Sequence, residues 1–265
     1  MLEQITPLIL TLNEEANIAR VVERLGWARE VVVVDSGSTD ATRRVLAGFG
    51  NVRCVEHAFE GHADQWNFGL AQTGIATEWV LALDADYVVS EELVAELRDL
   101  VPAPGTAGYR VGFRYCTLGK VLRGTLYPPV VALYRRNEAR YVQDGHTQRV
   151  QVNGRIEPLR GVVLHDDRKP LPRWLAAQAR YAQLEADLLC AKTWRELRWP
   201  DRLRKLPFVM PPLAFAYCLV ATGGILDGWP GLYYAGQRAV AEAILSLVLV
   251  ERRVAAAGRR GGKRA

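Results

Sequence analysis

The stretch that decides the fold is Trp79-Val-Leu-Ala-Leu-Asp-Ala-Asp86. Its five apolar residues end at Asp84 and Asp86, two carboxylates with one alanine between them. The apolar run predicts a buried strand, and open α/β sheets bind ligands at the carboxyl ends of their strands. Two carboxylates at such a place suit a hard divalent cation, Mg2+ or Mn2+, that also binds substrate phosphates. An isolated Asp-x-Asp also arises by chance, so the neighbouring motifs decide its meaning.

The residues around this motif alternate between strand and helix patterns. Four consecutive valines at 31–34 are typical of a fully buried parallel strand. Alternation of this kind predicts a parallel sheet covered by helices on both faces. Predicted strands are 5–12, 30–34, 52–55 and 78–83, and predicted helices are 14–25, 38–47, 62–72 and 90–101.

From residue 108 the pattern changes to short β-like runs. We expect these runs to extend the sheet with mixed or antiparallel strands, and a helix to follow at 172–189. The runs are 109–113, 130–134, 148–152 and 159–164.

The net charge of +5 conceals a strong asymmetry. Residues 1–100 carry 7 basic and 17 acidic residues, whereas 101–265 carry 27 basic and 12 acidic residues. A nucleic-acid binder would be basic throughout, so we expect no nucleic-acid partner. A basic, apolar half indicates a protein that rests on an anionic membrane surface.

Two apolar stretches, 207–226 and 239–250, are flanked by arginines. We interpret them as interfacial or re-entrant helices on the cytoplasmic leaflet. A buried helical pair and a two-pass hairpin are the alternatives. Four scattered cysteines without metal-type spacing, and an N-terminus without a signal pattern, favour a reduced, cytoplasmic location.

Three further motifs fall near the predicted metal site. Asn13 and Glu14 follow the first strand, and Asn67 lies on the helix before the metal motif. After the second strand come Asp35 and the pair Ser36-Gly37, whose small side chains permit close approach of a ligand. An acidic residue after such a strand can accept a hydrogen bond from a ribose. The plainer alternatives are a helix cap at 13–15 and a surface position for Asn67.

The motifs TLNEEANI, VVDSGSTD, QWNFGL and LDADYVVS, in this order, resemble the GT-A catalytic domain of inverting family-2 glycosyltransferases. The later stretches LHDDRKPLPRW, QARYA and GGILDGWPG are similar to bacterial lipopolysaccharide-core β-glucosyltransferases. The resemblance implies an α/β GT-A nucleotide-diphospho-sugar transferase fold, a Rossmann-like mixed sheet with a C-terminal helical, membrane-associating extension. It implies a catalytic domain at 1–170, with a nucleotide-sugar half at 1–100 and an acceptor half at 101–170. A helical region at 171–257 and a disordered basic tail at 258–265 follow.

The resemblance also implies an activity. It is metal-dependent transfer of a hexose from a nucleotide sugar, expected to be a UDP-sugar, to a glycolipid or lipid-linked saccharide at the inner face of the cell membrane. Asp35 would contact the base or ribose, Glu14 would hold the base-proximal loop, and Asn67 would fix the loop over the donor. Asp84 would contact ribose or metal, and Asp86 would ligate the metal.

Two further roles follow from the same resemblance. His165 would complete the metal shell. Inversion requires a base that deprotonates the acceptor hydroxyl, but the related sequences carry His-Glu where residues 145–148 here read GHTQ. We therefore expect Asp144, with His146 beside it, to act as the base. His146 itself and the pair Asp166-Asp167 are the alternatives.

Two other functions fit parts of the pattern. A nucleotidyltransferase shares a similar fold and cation use, but it would carry a glycine-rich basic loop after the first strand, which TLNEEAN lacks. A catalytically inactive binding protein is suggested by the missing acid at Gln148 and disfavoured by the intact Asp84 and Asp86.

Overall fold

The structure is a computed structural model that describes residues 1–124, 126, 128–144 and 147–261. Within these ranges, the side chains of Asp144, Thr147 and residues 257–261 are not described. The predicted base Asp144 therefore has no described side chain, and His146 beside it lies outside the described residues.

Strands and helices alternate through the first hundred residues, and longer strands follow them. The strands are β1 Ile5–Thr11, β2 Val31–Asp35, β3 Val52–Glu56, β4 Trp79–Asp84, β5 Tyr87–Val89, β6 Thr106–Thr117, β7 Lys120–Val121, β8 Val130–Arg135, β9 Ala139–Asp144, β10 Thr147–Val152 and β11 Arg155–His165. The helices are α1 Ile18–Glu23, α2 Thr42–Leu46, α3 His62–Gln72, α4 Glu91–Asp99, α5 Leu171–Ala191, α6 Trp199–Arg204, α7 Met210–Ala216 and α8 Trp229–Gly261.

The main sheet is mixed, with strand order β3-β2-β1-β4-β8-β6-β11-β5. The four strands β3, β2, β1 and β4 are parallel, as predicted. Beyond β4 the sheet continues through antiparallel pairs with β8 and then β6, which confirms the predicted mixed extension. The carboxyl ends of β1, β2 and β4 therefore meet at one edge.

The core explains why helices cover both faces of the parallel strands. Val31, Val32, Val33 and Val34 are all fully buried, two in a cluster on each face of the sheet. Burying a valine side chain stabilises the fold by about 1.5–3 kcal/mol, so β2 needs helices on both faces. Ser90 caps α4 as predicted, because its hydroxyl accepts a hydrogen bond from the Leu93 N–H at 3.1 Å.

The first helix is shorter than predicted. It begins at Ile18 rather than at residue 14. The N–H groups of Asn13, Glu14 and Glu15 donate to side chains of the loop after β2 and of the first residue of α2 instead of starting a helix. Long-range polar contacts thus override the local helical pattern.

The prediction that 148–152 extends the main sheet is wrong. This segment lies in β10, which pairs with β9 as a separate two-stranded sheet. Val150 and Val152 pack against the cluster that contains Trp66 and Leu70 of α3. The hairpin therefore buries its apolar face on a helix.

The chain divides into two compact units. The first comprises Met1–Cys116 and Tyr127–Arg168, and the second comprises Thr117–Leu126 and Lys169–Ala265. In the second unit, α5 and α8 pack through buried leucine, alanine and valine side chains. Helix α8 continues to Gly261, past the predicted start of the tail at 258.

None of the helices within the described residues is both long enough and apolar enough to cross a membrane.

Candidate active site

Asp35 ends β2 and is fully buried. Its Oδ1 accepts hydrogen bonds from the backbone N–H groups of Gly37 (3.1 Å) and Ser38 (2.8 Å), and its Oδ2 accepts one from the Ser38 hydroxyl. Gly37 has φ +89°, a conformation that L side chains rarely adopt. The carboxylate therefore shapes the loop after β2 and fixes Ser36 and Gly37 at the sheet edge.

The loop after β1 is joined to this second loop by hydrogen bonds. The Asn13 amide oxygen accepts from the Thr39 N–H at 2.8 Å, and the Asn13 N–H donates to the Ser38 hydroxyl at 2.8 Å. The Glu14 N–H donates to the Thr42 hydroxyl at 2.7 Å. Asn13 was predicted to contact the nucleotide sugar. In the structure its side chain holds the two loops together.

Asp84, Asp86 and His165 lie at neighbouring strand ends. Asp84 ends β4, and Asp86 lies in the turn before β5. β5 pairs with β11 so that Tyr87 is opposite His165. The His165 Nε2 lies 3.0 Å from the Asp86 Oδ2. The structure thus brings the three predicted metal residues into one acidic cluster.

The pKa of Asp84 is raised from its ordinary 3.8 to about 6. Burial is the main cause and the negative charge of Asp86 adds to it, while His165 and a hydrogen bond with Tyr87 oppose the shift. The negative charge of Glu14 raises the pKa of Asp84 by a smaller amount, so this residue of the loop after β1 interacts electrostatically with Asp84. Strongly shifted carboxyl groups are concentrated at functional sites.

Burial lowers the pKa of His165, but the carboxylates around it, led by the hydrogen-bonded Asp86, outweigh burial and raise it overall. A neutral His165 can offer its Nε2 lone pair to a metal, and a protonated one pairs with Asp86. The imidazole is thus held where a cation, either a proton or a metal ion, is stabilised by negative charge.

The side chains of Asp84, Asp86 and His165 fit a hard divalent cation that takes its remaining ligands from the substrate. Within the described part of the chain, no three His, Cys, Asp or Glu side chains are grouped closely enough to hold a metal by themselves. The predicted set Asp84, Asp86 and His165 is therefore a cluster of neighbours rather than a preformed three-ligand cage. Mg2+ sites that use one or two carboxylates plus substrate phosphates need no such cage.

Asn17 is a functional candidate that sequence reasoning missed. It is 1% exposed, and its Nδ2 donates to the carboxylates of Glu14 (2.8 Å) and Asp167 (3.0 Å). Its Oδ1 accepts from the Arg168 N–H at 2.9 Å and from Arg20 at 2.8 Å. Asn17 therefore ties the loop after β1 to the segment after β11. The sequence signal was an asparagine four residues after Asn13, which resembles a helix cap.

The alternative base Asp166 is engaged in ion pairs. Its carboxylate contacts Arg20 and lies 2.9 Å from the Nη2 of Arg168. A carboxylate whose oxygen is engaged by two guanidinium groups is not open to the hydroxyl of an acceptor. This geometry disfavours Asp166 as the base, and Asp167 is held by Asn17.

The side-chain hydrogen bonds of Asn67 go to β9 and not to the acidic cluster. Its side-chain amide donates to the Tyr141 carbonyl and accepts from the Tyr141 N–H, both at 2.9 Å. It thus anchors β9 to α3 by satisfying both backbone groups of Tyr141, as a neighbouring strand would. The neighbouring Gln65, fully buried, donates to the Ser36 hydroxyl at 2.7 Å and so reaches the loop after β2.

The parallel order β3-β2-β1-β4, with an acidic cluster at the carboxyl ends of its strands, defines a GT-A-like α/β domain followed by C-terminal helices. This is the fold class of nucleotide-sugar transferases. Residues 8–159 match the model of the family described as Glycosyl transferase family 2. The match covers more than half of the chain, which therefore belongs to glycosyl transferase family 2 and is a glycosyltransferase.

Two relatives illustrate the likeness. The chain is 28% identical over 256 residues to the lipopolysaccharide core biosynthesis glycosyltransferase LpsC of Rhizobium meliloti, a match that covers 86% of this chain and 87% of the relative. It is 35% identical over 97 residues to an uncharacterized glycosyltransferase of Rickettsia typhi, which covers 36% of this chain and 32% of that protein. The chain thus spans about a third of the latter.

Among solved structures, S. aureus TarS 1-349 in complex with UDP-GlcNAc covers 95% of this chain, with a TM-score of 0.49 and 14% sequence identity. The family assignment does not depend on this likeness.

Proposed function

We propose that this glycosyltransferase is a metal-dependent inverting enzyme that transfers a hexose from a UDP-sugar to a lipopolysaccharide-type glycolipid. The observation that carries the proposal is the contact between Asp86 and His165 beside the perturbed carboxyl of Asp84, at the carboxyl ends of the strands. The relation to LpsC supports a lipopolysaccharide-type acceptor. The catalytic unit is proposed to be residues 1–170.

In this proposal Asp86 and His165 hold the divalent cation, with Asp84 beside them at the ribose or metal. When bound, Mg2+ or Mn2+ would offset the charge that develops on the departing nucleoside diphosphate. The protein's own share is to present these ligands at fixed positions. The two loops that carry Asn13 and Asp35 are cross-linked by hydrogen bonds, so they need little ordering when the nucleotide binds.

Asp35, Ser36 and Gly37 are proposed to face the nucleoside, and Glu14 to support the loop beside it. The Glu14 carboxylate is held by Asn17 at 2.8 Å, which limits its rotamers. Asn67 is proposed to act at one remove, by fixing β9 on α3 beneath the hairpin that leads to residue 144.

The proposed base is Asp144, with His146 beside it. The base takes the proton of the acceptor hydroxyl while that oxygen attacks the anomeric carbon on the side opposite the leaving diphosphate. Asp144 ends β9. Because the Asp166 carboxylate is engaged by Arg20 and Arg168, we assign the base to the β9–β10 hairpin of the acceptor half at 101–170.

The second part of the proposal is that the enzyme acts at the inner face of the cell membrane as a peripheral protein. A lipid-anchored acceptor is confined to that surface, and the C-terminal region 171–257 carries an excess of basic residues, 11 against 7 acidic residues. Attraction of basic residues to anionic lipids contributes about 1 kcal/mol each near the surface.

The test is nucleoside-diphosphate release from a panel of nucleotide sugars, with Mn2+, Mg2+ or EDTA, and with bacterial glycolipid in detergent as acceptor. We expect release from one UDP-sugar that stops in EDTA. Asp86→Asn should lower kcat/KM at least 100-fold, about 2.7 kcal/mol of transition-state stabilisation. The matched control Asp99→Asn changes an exposed aspartate at the end of α4 and should leave the rate unchanged.

A second variant separates donor binding from transfer. Asp144→Asn should abolish transfer to the acceptor while the Kd for UDP and Mn2+, measured by calorimetry, stays within twofold. Transfer by Asp144→Asn at the wild-type rate would exclude Asp144 as the base, and full activity in EDTA would exclude the metal.

A further inference from the structure

Two chain segments of the second unit meet around a buried aspartate. Asp227 is almost fully buried and its Oδ2 accepts from the Arg123 N–H at 2.9 Å, while the Lys120 ammonium donates to the Asp227 carbonyl at 3.0 Å. Gly124 lies so near Thr222 that an added Cβ would come within 2.3 Å of its side chain. The turn after β6 and the connection between α7 and α8 therefore form one continuous surface.

Large apolar side chains cover this surface and face solvent. Val220 is 75% exposed, Ile225 66%, Leu226 64% and Trp229 79%. From the other segment Leu118 is 69% exposed, with φ +50° in a tight turn. We name these five residues the apolar tip. Several large, exposed apolar side chains on two segments that are joined by Asp227 mark a candidate interaction surface.

The charge around the tip selects its partner. Residues 213–234 contain a single acidic residue, Asp227, which is buried beneath Lys120 and Arg123. The side chains of these two basic residues are 47% and 65% exposed, so they present positive charge beside the tip. The second unit as a whole carries 18 basic and 7 acidic residues, a net charge of +11.

An anionic lipid surface fits this combination. Cationic side chains gain from the negative surface potential, and the exposed apolar groups gain by entering the boundary between headgroups and acyl chains. Trp229 is of the residue type that is enriched at this depth. A protein partner would need a complementary acidic rim around an apolar pocket, whereas a bilayer supplies both features without shape matching.

The second predicted membrane segment, 239–250, is used differently. Leu245, Val248 and Leu249 are buried in the cluster that joins α8 to α5. The apolar residues that remain exposed on this part of the second unit, such as Leu247 and Val254, lie one per two turns along α8. Exposed apolar residues are therefore spaced far apart along 239–250 and the following turns of α8, whereas the tip, which includes the first residue of α8, holds several of them within ten residues of the chain.

We propose that the apolar tip inserts into the interfacial layer of an anionic bilayer and is the membrane contact of this protein. The inference rests on the membrane-surface part of the proposed function and is independent of the transfer reaction. It replaces a pair of helices lying flat on the leaflet by a localised contact, formed by the turn after β6 and by the α7–α8 connection with the first residue of α8, which Asp227 holds together.

The experiment is sedimentation of the full chain with vesicles of phosphatidylcholine containing 30% phosphatidylglycerol, against pure phosphatidylcholine. Ile225→Ser with Trp229→Ser should lower the partition coefficient on anionic vesicles at least tenfold. Leu247→Ser with Val254→Ser, which removes two exposed apolar side chains further along α8, should change it less than twofold. Thermal unfolding by circular dichroism verifies that each variant folds.

Four results would overturn the proposal: equal binding of wild type to both vesicles, unchanged binding of the tip variant, stronger loss in the α8 variant, or a dimer in solution that the tip variant converts to monomer. The last result would show that a second copy of the chain covers the tip. Nucleoside-diphosphate release from donor alone, without acceptor, should be equal in the tip variant and wild type. Loss of vesicle binding with that release intact separates failure of the membrane contact from failure of the transferase.

Discussion

Replacing Asp84 by asparagine should stabilise the protein at neutral pH while removing a residue of the candidate site. The ionised Asp84 carboxylate is half-buried at the end of β4 and lies near the negative charges of Asp86 and Glu14. Asparagine has nearly the same shape and no charge, so the variant removes the desolvation and repulsion and keeps the packing.

The magnitude follows from the pKa. In the unfolded chain the carboxyl loses its proton near pH 3.8, and in the folded chain near pH 6. Between these values the folded state binds more protons than the unfolded state, so the free energy of unfolding falls as pH rises. A shift of about two pH units corresponds to about 3 kcal/mol, fully lost above about pH 6. Asp84→Asn escapes this loss, and its advantage should vanish below about pH 4.

The assay is urea unfolding in EDTA at several pH values between 4 and 8, followed by circular dichroism. The variant minus wild-type difference in the free energy of unfolding should climb from near zero at pH 4 to about 3 kcal/mol at pH 7. Asp99→Asn, on the exposed end of α4, serves as the control and should give a small, pH-independent difference. A difference for Asp84→Asn that is flat with pH, or a loss of stability at pH 7, would refute the electrostatic account.

Two further predictions concern the residues that position the cluster. Asn17→Ala removes the side-chain hydrogen bonds that Asn17 makes with the Glu14 and Asp167 carboxylates and with Arg20. The free energy of unfolding should fall by about 2–4 kcal/mol, and UDP affinity, measured by calorimetry at a temperature where the variant is folded, should weaken. Binding equal to wild type would show that Asn17 only stabilises the fold. Asn67→Ala releases the backbone of Tyr141, so amide exchange at β9 should accelerate at least tenfold while β2 is unchanged; uniform acceleration would indicate global destabilisation instead.

The sequence was sufficient for the parallel half of the fold because its signals are local. Four valines at 31–34 can be buried only between two helical layers, and the helix at 62–72 was predicted with its observed bounds. The first helix was predicted too long because Asn13 and Glu14 bond to residues 25–28 positions later in the chain. A helical pattern carries no record of such partners.

In the candidate site, too, the residues placed by local signals were predicted and those with distant partners were not. Asp84 and Asp86 could be assigned to one place because a single strand ends there, and parallel strands placed Asp35 at the same edge. Asn17 could not be assigned, since its partner Asp167 is 150 positions away on the segment after β11. The pairing of β11 in the main sheet is what brings Asp167 to Asn17, and no local pattern predicts that pairing.

The separate β9–β10 hairpin shows why the acceptor half resists prediction. The alternation in 148–152 indicates a strand with one apolar face, but a strand pattern does not specify which surface buries that face. In the structure the surface is α3, with Trp66 stacked on Tyr141 at 5.1 Å between ring centroids. The electrostatic interaction between Tyr141 and Asp84 then links this hairpin to the acidic cluster. The position of any base on β9 is therefore set by packing on α3, so variants of Trp66 should alter transfer without touching a charged group.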